Sequence, residues 1–251
     1  DAETVEVYLK AHPEVTIVSM VHNETTTGLL NDIASVARVV KGAGKTFIVD
    51  AMSSFGAVDI DVGALGIDFI VSSANKCIQG VPGFSFIIAR RSALEASRGN
   101  ARTLSLDLYD QWQVMEKDGG KWRYTSPTHV VAAFHRAMQE LKAEGGIAAR
   151  AQRYSRCNQK MREGMKALGF EAYITPEHQG PIITTFFYPE NANFTFASMY
   201  DYLKSHGYVI YPGKLTERDT FRLGNIGEIY EEDVDRVLEL FAQYLKEVNN
   251  G

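Results

Sequence analysis

Lys76 stands directly after an apolar, β-branched run and directly before a loop punctuated by Gly80, Pro82 and Gly83. That is how the carboxyl end of a buried strand reads. Ligands of open α/β sheets bind at that edge, and a lysine held there among apolar neighbours can lose enough basicity to act as a nucleophilic amine. Taken alone, the stretch reads better as an exposed loop lysine, since most lysines are exposed. Two further strand ends change the weighing. The run at 46–49 finishes on Asp50, and the run at 16–21 leads into His22, Asn23, Glu24 and Thr25. Three successive strands therefore finish, at one sheet edge, on reactive or hydrogen-bonding groups: Glu24/Thr25, Asp50 and Lys76.

An Asp and a Lys at neighbouring strand ends suit a pyridoxal 5′-phosphate site, where the amine forms an imine with the aldehyde and the carboxylate keeps the pyridine nitrogen protonated. Each residue also has a plainer role. Asp50 can cap a helix or form an Asx-turn, and Thr25 and Thr27 are turn formers. Arg222 interrupts an apolar strand, where an unpaired guanidinium is costly. It reads equally as half of a structural ion pair or as a two-pronged clamp for an anionic substrate group. His22-Asn23-Glu24 opens like a zinc deaminase signature, but the matching P-C-x-x-C is missing, so no metal is expected. Gly42-Ala43-Gly44 lacks both the third glycine and the preceding strand of a dinucleotide fingerprint.

The elements that must position these residues follow from periodicity. An amphipathic helix opens the chain, with Val5, Tyr8 and Leu9 on one face, and a second carries Ile33, Val36, Val39 and Val40. Strands are expected at 16–21, 46–49, 69–72 and 84–89. Their alternation with helices predicts parallel pairing, and their near-continuous apolar character predicts cover on both faces. Helices are expected at 91–97, 104–115, 129–144 and 147–168. Beyond Gly169 the texture changes to short strands (182–188, 208–211, 221–223) and helices (196–205, 231–248). The fold class is therefore α/β, with a mainly parallel large domain over residues 1–150 and a smaller α+β domain over 151–251.

At 251 residues and a formal net charge of −5, the chain is long enough for one large or two modest cores. Mild acidity without Lys/Arg clusters argues against nucleic acid or an anionic membrane as partner. Cys77 and Cys157 are widely separated, which fits a reducing, cytoplasmic setting rather than a disulfide framework. No apolar run approaches the length of a membrane span. The chain opens directly into a helix pattern, as the downstream part of something longer would.

Several collinear segments resemble the class V, fold-type I aminotransferases: MVHNETTTG at 20–28, IVDAMSSFG at 48–56, SSANKCIQGVPGF at 72–84, SLDLY at 105–109, KWRYTSPTH at 121–129, VIYPGK at 209–214 and FRLGNIGE at 221–228. The segments around Lys76 and Trp122 are closest to the branch that moves the amino group of 2-aminoethylphosphonate to pyruvate. The resemblance implies pyridoxal 5′-phosphate as cofactor, with Lys76 as the Schiff-base lysine and Asp50 as partner of the pyridine nitrogen. It also implies Thr25 and Asn75 as polar cofactor contacts, Thr125 as a contact to the cofactor phosphate of a neighbouring subunit in a homodimer, and Arg222 as the substrate-anion arginine. The family's upstream segment, with its phosphate loop and ring-stacking aromatic, is not among these residues. An alanine–glyoxylate or serine–pyruvate aminotransferase, sharing Lys76, Asp50 and Arg222, is the alternative within the class. A catalytically silent truncated remnant is the alternative outside it. A cysteine desulfurase fits less well, because neither cysteine sits on a mobile loop.

Overall fold

The apolar runs form a four-stranded sheet of β1 (Ile17–Val21), β2 (Thr46–Asp50), β3 (Phe69–Ser73) and β4 (Ser85–Ala89), in that spatial order. The computed structural model describes residues 1–190, 193–213, 215 and 218–250, with residues 249 and 250 described by backbone alone. β1, β2 and β3 are parallel, with Val21 beside Asp50 and Asp50 beside Val71. Their carboxyl ends thus share one edge. β4 departs from the expected parallel pairing and runs antiparallel to β3, because residues 74–84 contain no helix to carry the chain back.

Two compact units are resolved by their internal packing. The first holds residues 1–22, 32–52 and 60–139; the second holds 23–31, 53–59 and 140–251. In the first, α1 (Ala2–Ala11) and α2 (Ile33–Gly42) begin at Asp1 and Asp32, whose side chains accept from Thr4 N and Ser35 N. The buried face of α2, Ile33, Val36, Ala37 and Val40, meets a core that includes Phe47, Val49 and Ile70. Among the described residues the outer strands are not covered on both faces, since Ile17, Val21, Ile87 and Ile88 are exposed. α3 (Arg91–Ala96) follows β4. The single helix expected at 104–115 is two elements, a 3-10 turn (Leu104–Leu106) and α4 (Leu108–Lys117), because Asp107 accepts from Asp110 N and starts the helix afresh. α5 (Thr128–Glu144) then leads to a break at Gly145, whose φ of 112° suits glycine, and α6 (Gly146–Ala167) continues.

The second unit is a three-stranded antiparallel sheet, β5 (Ile183–Phe187), β7 (Thr220–Gly224) and β6 (Tyr211–Pro212) in spatial order, with α7 (Phe196–Ser205) and α8 (Glu231–Asn250). Its core is aromatic: Phe170, Phe186, Phe221 and Phe241 stack and edge-pack with centroids 5.5–6.0 Å apart. β6 is much shorter than the 208–211 run predicted and begins only at Tyr211. Lys214, at the end of the 209–214 segment, lies outside the described residues.

Candidate active site

Asp50 is the last residue of β2 and half-buried; its Oδ1 accepts one hydrogen bond, from Met52 N at 2.9 Å. Its backbone oxygen accepts from His22 N at 2.8 Å, which ties the ends of β1 and β2 together. On the adjacent strand, Lys76 follows the end of β3 by three residues, in a turn closed by bonds from Gln79 N to Lys76 O and from Gly80 N to Ala74 O, both 2.8 Å. Gly80 is obligatory there, since a Cβ would lie 2.7 Å from the Ala74 carbonyl oxygen. Gln79 holds a left-handed φ of 65°, a conformation costly for a residue with a side chain. Ala74, Cys77 and Ile78 are fully buried on either side, and Lys76 and Asn75 are half-buried. Neither Lys76 nor Asp50 has an ion-pair partner among the described residues.

Ser73, the last residue of β3, was not singled out from the sequence. Its Oγ is buried without a hydrogen-bond partner among the described residues, three positions from Lys76. Such an atom is stabilised by a polar ligand. A primary amine, a carboxylate on the neighbouring strand end and an unsatisfied hydroxyl fit a pyridoxal cofactor's aldehyde, ring nitrogen and polar substituents. Burial lowers the pKa of the adjacent His22 to about 4, keeping it neutral.

Thr25 and Arg222 belong to the second unit. Arg222 is buried on β7, where its Nε donates to Pro212 O and its Nη1 to Thr25 O, both at 3.1 Å. The guanidinium also lies 5.7 Å from the centre of the Tyr211 ring. No carboxylate pairs with it among the described residues; the nearby acid Glu228 accepts from Tyr230 OH at 3.4 Å. Glu24, grouped from the sequence with the reactive strand ends, is already occupied. Its carboxylate accepts from Thr26 N (2.6 Å), Thr27 N (2.9 Å) and Thr27 Oγ1 (2.7 Å). Desolvation raises the Glu24 pKa, but these hydrogen bonds outweigh it and leave the pKa below the usual carboxylate value. Thr125 is exposed, in a segment anchored by Arg123, which donates to Asp110 Oδ2 at 2.7 Å and Leu104 O at 2.6 Å.

Asp50, Asn75 and Lys76 are thus brought to neighbouring strand ends of the first unit, with Thr125 elsewhere in it, while Thr25 and Arg222 meet in the second. Among the described residues no cluster of His, Cys, Asp and Glu could hold a metal ion, and no helix is long and apolar enough to cross a membrane. Cys77 and Cys157 are both free and buried.

A parallel-stranded sheet with a lysine and an aspartate at neighbouring carboxyl ends defines a class. The family model for aminotransferase class-V matches residues 1–217, and the chain belongs to that family. It is 58% identical over 226 residues to the 2-aminoethylphosphonate–pyruvate transaminase of Vibrio cholerae serotype O1, an alignment covering 90% of this chain and 62% of that protein. It is 56% identical over 246 residues to the Lysinibacillus sphaericus protein of the same name, covering 98% and 67%. The chain therefore spans somewhat less than two thirds of the Vibrio protein. The crystal structure of pyridoxamine-pyruvate aminotransferase from Mesorhizobium loti superposes with a TM-score of 0.88 at 23% identity, over 99% of this chain and 64% of that one. The fold is that of the fold-type I aminotransferases, and the cofactor of the family is pyridoxal 5′-phosphate.

Proposed function

We propose that this chain carries the catalytic part of a pyridoxal-phosphate-dependent transaminase that moves the amino group of 2-aminoethylphosphonate to pyruvate, releasing phosphonoacetaldehyde and L-alanine. The observation that carries the reading is the pair of charged groups at adjacent strand ends, Asp50 and Lys76, each without an ion-pair partner among the described residues. The identity to the two named transaminases supports the choice of substrates.

Bound pyridoxal phosphate supplies an electron sink that acidifies the carbon bearing the amino group. Lys76 Nζ would hold the cofactor covalently and, as a free amine, would take and return the substrate proton as a general base and acid. The Asp50 carboxylate holds a proton on the ring nitrogen. Among the described residues only Oδ1 accepts a hydrogen bond, which leaves Oδ2 for that role. Asn75 and Thr25 provide further polar contacts to the cofactor. Arg222 pairs with the anion of either substrate, phosphonate or carboxylate, through parallel N–H donors. Two of its nitrogens already donate to backbone oxygens, which fixes the plane of the guanidinium without neutralising its charge.

The protein works as a cytoplasmic homodimer in this reading, with Thr125 reaching the cofactor phosphate of the second subunit. The exposure of Leu104, Leu106 and Tyr124 around the Arg123-anchored segment supports a partner surface there. An amino-donor panel tests the function: purified protein with pyridoxal phosphate and pyruvate, offered 2-aminoethylphosphonate, serine and other amines, with alanine formation as readout. Alanine should form fastest from 2-aminoethylphosphonate. Preferred transfer between alanine and glyoxylate would give the function to the alternative reading, and no transfer from any donor would mark a silent remnant.

A further inference from the structure

Glu24 has no part in the chemistry proposed above, yet three donors converge on its carboxylate. We propose that Glu24 is a positioning residue for anion capture: it locks the turn whose Thr25 carbonyl orients the Arg222 guanidinium. The inference deepens the proposed function and rests on Arg222 being the substrate-anion group.

A guanidinium at the end of a flexible stem swings unless more than one edge is held. Arg222 is held on one edge by Pro212 O, from β6 beside its own strand, and on another by Thr25 O, which lies 197 positions away in sequence. The second hold is only as firm as the turn that presents it. That turn is braced from inside by the Glu24 carboxylate and from outside by Thr185, whose Oγ1 donates to Thr26 O at 2.8 Å. Thr185 is the residue directly across from Arg222 in the β5–β7 pairing. Two neighbouring carbonyls of the turn, Thr25 O and Thr26 O, are therefore gripped by two residues paired across the sheet. Further along, Gly180 N donates to Gly28 O at 2.8 Å and ties the end of the segment to the residues before β5. A glutamine at position 24 cannot reproduce the brace. Its amide nitrogen would face one of the N–H or O–H donors that now meet an oxygen, so the turn must reopen on one side.

The test measures equilibrium binding rather than turnover alone. Methylphosphonate, an anion with no amine to transfer, is titrated into the cofactor-loaded protein and followed by phosphorus NMR, with thermal melting recorded in parallel. Four proteins are compared: the parent, Glu24→Gln, Arg222→Lys, and the double variant. Glu24→Gln should weaken methylphosphonate binding about tenfold, the scale of one misplaced hydrogen bond to a charged group. The KM values for 2-aminoethylphosphonate and pyruvate should rise together. In the Arg222→Lys background the same change should add almost nothing, because the carbonyl then has no fork to orient. If Glu24→Gln does not fold, Thr27→Val removes one donor from the carboxylate and should weaken binding about threefold. Weakened binding in Arg222→Lys with unchanged binding in the folded Glu24 or Thr27 variant overturns the positioning role alone, as would two effects that multiply in full. Unchanged binding in Arg222→Lys overturns the anion role of Arg222 and this inference with it.

Discussion

The two ends of the four-stranded sheet carry the same pair of residue types in opposite states. At the amino end of β3, Asp68 is buried and closed: its carboxylate accepts from Lys41 Nζ at 2.5 Å and Phe47 N at 2.8 Å, with Arg90 Nε 3.5 Å away. At the carboxyl end, Asp50 makes one short-range bond to Met52 N and Lys76 has no ion pair among the described residues. The closed trio joins α2, β2 and the residue after β4, and so fastens the fold. The side chains of the open pair join no two elements among the described residues. A half-buried charge left open is a cost to folding that a bound ligand can offset, which is why the same two side chains read as structure at one end and as chemistry at the other.

The largest effect is expected on removing Lys76. Lys76→Ala should abolish covalent cofactor attachment and with it the visible absorbance of the loaded protein, while the melting temperature of the cofactor-free protein stays near that of the parent. A retained absorbance band would contradict this. Asp50→Asn should keep the attachment but lower kcat by 10²–10³, about 3–4 kcal/mol, the scale of losing one group that stabilises developing charge. Steady-state kinetics at saturating cofactor measures it, and near-normal turnover would reduce Asp50 to a loop residue.

His22, beside the open end, sharpens the contrast through pH. Its folded pKa of about 4 lies below the ordinary 6.5, so the unfolded chain takes up the proton first. Its contribution to stability is whole above about pH 6.5 and is lost as pH falls from there toward about pH 4, a loss of at most about 3 kcal/mol. Denaturant melts of the parent and His22→Gln across that window should show a shallower slope for the variant; parallel slopes would mean His22 is not the titrating group. The smallest effect is expected at the closed end. Asp68→Asn should destabilise the cofactor-free protein by about 2 kcal/mol, below the value for a wholly buried pair because Lys41 is partly exposed. Cofactor affinity should not change. Equilibrium unfolding and a cofactor titration on the same variant check both halves.

Much of the open end was legible because parallel strands must finish together and because an apolar run that stops at Ser72-Ser73 marks where β3 ends. Asp50 and Lys76 needed no more than that to be placed on neighbouring strand ends. What the residues could not reveal depended on contacts distant in sequence or on consumption by local turns. Glu24 looked like a strand-end functional group, but Thr26 and Thr27 occupy its carboxylate. Asp107 looked like one position inside a helix, but its side chain starts a new one at Leu108. The antiparallel course of β4 follows from a loop too irregular to serve as a crossover, which apolar periodicity alone does not report. Residues 23–31 and 53–59 pack with the C-terminal half because of hydrogen bonds such as Thr185 Oγ1 to Thr26 O, spanning 159 positions. Ser73 escaped notice because a serine at a strand end is ordinary until its hydroxyl is found buried without a partner.

Borohydride reduction of the cofactor-loaded protein followed by peptide mapping shows which lysine does the covalent chemistry. The cofactor mass should be found on the peptide containing Lys76 and on no other. Its appearance instead on Lys41, Lys45 or Lys121 would rule out Lys76 as the attachment site.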